Sequence, residues 1–195
     1  MAEYLTNTAD LTAVADAIRA KGGISNPLVY PDGFVSAIQA IETGGGSGSD
    51  ELVNSLIDRT ISGTYVNNTV TIIGRYGLAN CTKLTSVVLP AVSTMDGNSM
   101  IGCSALTKAD FSNLKTIRYS TFYNNKKLIA LIIRRHAVTT LDNTTNVFKN
   151  TPIESGTGYI YVPSDMVSNY KTATNWSKYA NQIRAIEDYP DITGG

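Results

Sequence analysis

The segment Asn80-Cys81-Thr82-Lys83-Leu84-Thr85-Ser86-Val87-Val88-Leu89-Pro90 returns 22 residues later as Gly102-Cys103-Ser104-Ala105-Leu106-Thr107-Lys108-Ala109-Asp110-Phe111-Ser112, and again as Asn124-Asn125-Lys126-Lys127-Leu128-Ile129-Ala130-Leu131-Ile132-Ile133-Arg134. A unit this short cannot enclose a core alone. It buries its apolar side only by stacking on its neighbours, which makes a solenoid. Two more columns keep the register: Ile73, Met95 and Ile117, and Leu78, Met100 and Phe122. Each unit thus supplies one apolar residue from a turn, one from a short helix or turn, and three from a strand of pattern Leu-x-x-Val-x-Leu. The strand triplets are Leu84/Val87/Leu89, Leu106/Ala109/Phe111 and Leu128/Leu131/Ile133. Stacked, they form a ladder of parallel strands about 4.8 Å apart over one continuous core. The expected fold is an α/β solenoid with helical caps and a small N-terminal helical module.

The flanks are patterned differently. In residues 1–43, Leu11, Val14 and Ile18 mark one helix face and Phe34, Ile38 and Ile41 a second. Two short helices bury little by themselves, so these six residues are a candidate assembly face for a homo-oligomer or a docking partner. Residues 44–50 carry Gly44-Gly45-Gly46-Ser47-Gly48-Ser49, the composition of a flexible linker. Leu52, Val53, Leu56 and Ile57 suggest a helical cap over 51–65, ahead of repeats spanning 66–155. The fourth turn is stretched, with Leu141, Phe148 and Ile153 arriving late and an insertion expected near Asp142–Asn146; its strand is Gly158-Tyr159-Ile160-Tyr161-Val162-Pro163. A strand-helix cap and tail fill 156–195. There Ser164-Asp165 is expected to cap a helix bearing Met166, Val167 and Tyr170, and Trp176, Tyr179 and Ile183 continue its apolar face to Ile186.

Charge narrows the function classes. Sixteen Lys and Arg balance sixteen Asp and Glu, leaving no basic footprint for nucleic acid or an anionic membrane. No apolar run approaches the roughly 20 residues that span a bilayer, so no membrane insertion is expected. The start MAEYLTNTADL lacks a basic region followed by an apolar stretch, which reads as a chain made in the cytoplasm without a signal peptide. Cys81 and Cys103, one repeat apart, read as buried, reduced thiols and not as a metal or redox pair. His136, the single histidine, sits beside Arg134-Arg135 with no partner motif, and reads as a surface or turn residue. Asp96, Asp110 and Asp142 fall in different columns, so spacing brings no pair of carboxylates together for glycoside hydrolysis. No catalytic residue, metal site or cofactor is expected.

Strand side chains alternate, so the x positions face away from the core. They form a ladder of Ser86/Val88, Lys108/Asp110, Ala130/Ile132 and Tyr159/Tyr161. Tyrosine gives large contact area at low entropic cost, and these eight residues are the candidate recognition face.

The signature Asn/Gly-Cys-Thr/Ser-x-Leu-Thr-x-Val/Ala-x-Leu/Phe-Pro/Ser resembles the BspA-like leucine-rich repeats of bacteria over about residues 66–155. Asn125 in place of the cysteine, and Ser112 and Arg134 in place of the strand-ending proline, depart from it. The segment 158–180 is similar to the cap that follows such repeats in gut-bacterial surface proteins and phage proteins. Leu11–Gly23 with Tyr30–Ile38 resembles a module recurrent in tail-associated proteins of phages of Firmicutes. Together these resemblances imply a non-enzymatic virion protein of the tail or baseplate tip. Its partners would be other virion proteins or itself, and a bacterial surface glycan or protein. A bacterial surface adhesin or general interaction module is the alternative, and a carbohydrate-active enzyme a third.

Overall fold

The structure is a computed structural model and describes residues 59–142 and 146–194. The candidate assembly face, the linker, Leu52 to Ile57 and the centre of the expected insertion lie outside the described residues.

In chain order the strands are β1 (Ser62–Val66), β2 (Ile72–Ile73), β3 (Lys83–Val88), β4 (Thr94–Met95), β5 (Lys108–Phe111), β6 (Thr116–Ile117), β7 (Ala130–Ile133), β8 (Thr140–Leu141), β9 (Tyr159–Val162) and β10 (Ile183–Ala185). Among the described residues the α-helices are one to two turns long: α1 (Pro152–Ser155), α2 (Val167–Thr172) and α3 (Pro190–Thr193). The longer strands make a six-stranded parallel sheet in the order β1-β3-β5-β7-β9-β10, and the two-residue strands a second sheet in the order β2-β4-β6-β8. Each of the first four rungs therefore contributes one strand to each sheet, β9 and β10 extend the longer sheet alone, and the core fills the space between the sheets.

The repeat period sets the register directly. Val87 pairs with Ala109 and Ala109 with Leu131, each 22 residues on, whereas Leu131 pairs with Ile160 across the stretched fourth turn. All nine residues of the strand triplets have no exposed surface. Met95, Ile117, Met100 and Phe122 are equally enclosed, and Ile73 and Leu78 nearly so. The Ile73 column comes from β2, β4 and β6, so it is a second strand ladder and not the turn or short helix that the sequence suggests.

The Asn/Gly before each cysteine position has a backbone cause. Asn80, Gly102, Asn124 and Asn150 sit at φ of 58°, 74°, 61° and 60°, the left-handed region that asparagine and glycine tolerate best. Each ends a turn; the first three lead toward the next long strand, and Asn150 leads into α1. Asn150 Nδ2 also donates to Asn124 Oδ1 at 2.7 Å, tying two rungs together. In the adjoining column Cys81 and Cys103 are free thiols with no exposed surface, and Cys103 Sγ donates to the Leu78 carbonyl at 3.0 Å. Asn125 takes the cysteine's place one rung on and keeps the column joined by accepting from the Cys103 N–H at 2.9 Å.

The last rung is sealed by aromatics. Trp176 is fully buried, donates from Nε1 to the Thr139 carbonyl at 2.6 Å, and packs edge-on to Tyr170. Phe148 stacks on Phe122 and meets Tyr179 edge-on. Tyr170 places its hydroxyl to accept from the Thr139 N–H at 2.9 Å.

Three local expectations need correction. Strand β1 (Ser62–Val66) begins inside the expected helical cap and ends at the first residue of the expected repeats, because it completes the ladder by pairing with β3. Ser164 and Asp165 supply no side-chain cap: a 3-10 turn over Ser164–Met166 precedes α2. The Ser164 N–H is met instead by Glu187 Oε2 at 3.0 Å, and Asp165 faces His136. Ile183 lies in strand β10, not on a helix face, since pairing with β9 covers that end of the sheet.

Candidate recognition face

The outward side of the six-stranded sheet carries two rows. One runs Thr64, Ser86, Lys108, Ala130, Tyr159, and the other Val66, Val88, Asp110, Ile132, Tyr161, Arg184. The eight sequence-predicted residues all fall on these rows, opposite the core triplets. Their exposure divides the face in two. Ser86, Val88, Lys108 and Tyr159 are partly accessible, and Val66 at the β1 end is 54% exposed. Asp110, Ala130, Ile132 and Tyr161 are buried, at 6%, 2%, 0% and 2% exposure. The expected open ladder is therefore corrected for those four residues.

The cover is the chain's own closing segment, which turns back over β5, β7 and β9 after β10. Ala130, Ile132 and Tyr161 form an apolar cluster against which Tyr159 and Ile186 pack. The Tyr189 ring meets Tyr161 edge-on with centroids 5.5 Å apart, and Arg184 lies 4.7 Å above the Tyr159 ring. Two cations on the sheet then grip backbone carbonyls. Lys108 Nζ donates to Ile192 O at 3.1 Å, and Arg134 Nη2 donates to Thr193 O. Arg134 is oriented for this by a bidentate pair with Asp110, and that carboxylate raises the guanidinium pKa above its ordinary value. Burial, followed by the neighbouring Tyr189 and Tyr159, pushes the Tyr161 phenol upward.

Arg134, Ile186, Tyr189 and Thr193 belong to this face although the repeat pattern does not mark them. The available signal was chemical: Ala130 and Ile132 are apolar at positions that should be solvated, so something must cover them.

The other polar groups do not converge. Asp96 pairs with Arg118 at 3.3 Å, Asp110 with Arg134, and Asp142 Oδ2 accepts from the Tyr119 N–H at 3.1 Å. His136 Nδ1 lies 3.0 Å from Asp165 Oδ2, with both side chains largely exposed. Among the described residues no group of three or more His, Cys, Asp or Glu is gathered as metal ligands, and no helix is long and apolar enough to cross a membrane. What the arrangement offers chemically is a shaped surface with fixed cations, aromatic rings and an apolar floor.

A comparison with curated proteins gives no match. The profile of the BspA type leucine rich repeat region matches residues 58–173 in six copies, a span that takes in the first five rungs of the ladder and the start of the sealing segment. The chain belongs to the family of BspA type leucine-rich repeat proteins.

Proposed function

We propose that the protein is a non-enzymatic recognition component of a phage tail or baseplate tip, contacting a bacterial surface glycan or protein through the outward face of its repeats. The family supports an interaction or adhesin-like role for the repeat domain. One observation carries the reading of this chain: the inward strand triplets are uniformly apolar while the partly accessible outward positions change chemistry from rung to rung, from Ser86 and Val88 to Lys108 to Tyr159. Packing alone asks for no such variation, and an extended, variable surface is how solenoids engage partners.

The virion assignment rests on the likeness of residues 11–38 to tail-associated modules. In this reading residues 1–43 attach the chain to itself or to other virion proteins through Leu11, Val14, Ile18, Phe34, Ile38 and Ile41, and no cofactor takes part. Mass spectrometry of purified particles from cultures carrying the gene tests it. Peptides of this chain at stoichiometric abundance support a virion component; their presence only on washed cells favours the adhesin reading, which the family match equally accommodates.

A further inference from the structure

The covered half of the face is a built site, and the segment lying in it indicates what it takes. We propose that the seat formed by Lys108, Arg134, Tyr159, Tyr161 and Arg184 binds an acidic, tyrosine-bearing peptide segment of a partner protein, and that residues 186–194 occupy it in the free molecule. This deepens the recognition reading by naming a partner class, and rests on it.

The seat exists independently of its occupant. Arg134 is fixed by Asp110 through two hydrogen bonds of 2.9 and 2.8 Å within the sheet itself, and the floor of Ala130, Ile132 and Tyr161 is set by strand register. Lys108 and Arg134 bind the segment through the backbone carbonyls of Ile192 and Thr193. Carbonyl recognition reads the path of a chain more than its side chains, so another segment following that path satisfies the same donors. The ring of Tyr161 adds a contact for an aromatic side chain, which Tyr189 makes here. The residues that Lys108 and Arg134 hold adjoin acidic ones in the chain, since Asp191 precedes Ile192 and Glu187 and Asp188 lie just upstream.

The occupant is lightly held. Every residue from Glu187 to Ile192 is exposed, and beyond Ile186 only Thr193 is buried. Its helix, α3, is a single turn over Pro190–Thr193. Segments with few buried apolar contacts open at low free-energy cost. A partner segment of like chemistry therefore meets a preformed seat whose resident can leave.

The test uses the full chain with Tyr189→Ala and Thr193→Ala, which remove the aromatic contact and the Thr193 hydroxyl bonds to Ile186 O and Tyr189 O. Hydrogen exchange reports whether residues 187–194 are released, and a fluorescent peptide with the sequence of residues 186–194 is the probe. The expected result is faster exchange in that segment and peptide binding about tenfold or more tighter than to the unmodified chain, lost again when Arg134→Gln is added. Released exchange without peptide binding, unchanged exchange, or binding indifferent to Arg134→Gln overturns the proposal. So does a soluble cell-wall glycan that displaces the bound peptide. If the double variant does not fold, the peptide added at high concentration to the unmodified chain is expected to accelerate exchange at 189–194, and no change overturns it. Failure of these arms with particle incorporation and cell binding intact removes the peptide seat alone and leaves the recognition reading standing.

Discussion

Arg134, at the end of β7, reaches the buried Asp110 on the adjacent strand with Nε 2.9 Å from Oδ1 and Nη2 2.8 Å from Oδ2. A carboxylate placed outward on a sheet is ordinarily solvated. Here the closing segment removes that water and the guanidinium replaces it. Arg134→Ala leaves an uncompensated, largely buried charge and frees the Thr193 carbonyl, so a loss of about 2–4 kcal/mol is expected. Asp110→Asn with Arg134→Gln together should cost less than Arg134→Ala alone. Chemical denaturation of the two variants measures both.

Phe111 stands at the centre of the core ladder with no exposed surface. Phe111→Ala should destabilise by about 3–5 kcal/mol, a large share of the 5–15 kcal/mol margin typical of a domain. A loss below about 1 kcal/mol would mean that the strand register is off by one.

Gly102 is the one glycine in the column of left-handed turn residues, and its neighbour explains why. At φ of 74° its missing side chain leaves space for the Asn80 side chain, whose Oδ1 a Cβ would strike. Gly102→Ala is expected to lower the thermal midpoint through both strain and displacement of Asn80, by about 1–3 kcal/mol in stability. Asn98→Gly, at a φ of 60° in the companion column, should be close to neutral. Equal losses at the two sites would contradict the turn assignment.

Alkali should destabilise the domain as the buried tyrosines are forced to ionise. Burial first, and the Glu154 charge second, push the Tyr179 phenol up to about 12 from 10.0, and burial also raises Tyr170 and Tyr161. In each case the folded state binds the proton more tightly than the unfolded chain. The resulting stability is complete below the unfolded-state pKa values and declines as pH rises from about 10 toward 12. Denaturation midpoints measured from pH 7 to 11 should fall only above about pH 9, and a Tyr179→Phe variant should fall less steeply.

Much of this fold can be read from the chain because the repeat imposes one pattern three times. The triplets from Leu84 to Ile133 gave the strand ladder, its parallel sense and the inward face. The second sheet was not legible: two-residue strands such as Thr94–Met95 and Thr116–Ile117 are too short to show alternation. β1 and β10 lack the Cys-Thr-x-Leu signature, so nothing in their sequence marks them as further rungs. The cover over the face was hidden for a different reason. Contacts such as Lys108 with Ile192 and Arg134 with Thr193 span 84 and 59 residues, and no local periodicity encodes them. Only the apolar Ala130 and Ile132 at outward positions hinted at a covering element.

The proposed function places recognition on the outward sheet face. Binding of the fluorescently labelled full chain to intact cells of the bacterial strain that carries the gene or hosts its phage measures this most directly. Val88→Glu with Lys108→Glu changes the outward rows, and Thr94→Arg with Thr116→Glu changes the second sheet as a control. With thermal midpoints matched to the unmodified chain, the account predicts that the first pair weakens cell binding about tenfold or more while the second leaves it unchanged. Undiminished binding by the first pair, or loss confined to the second, would contradict it.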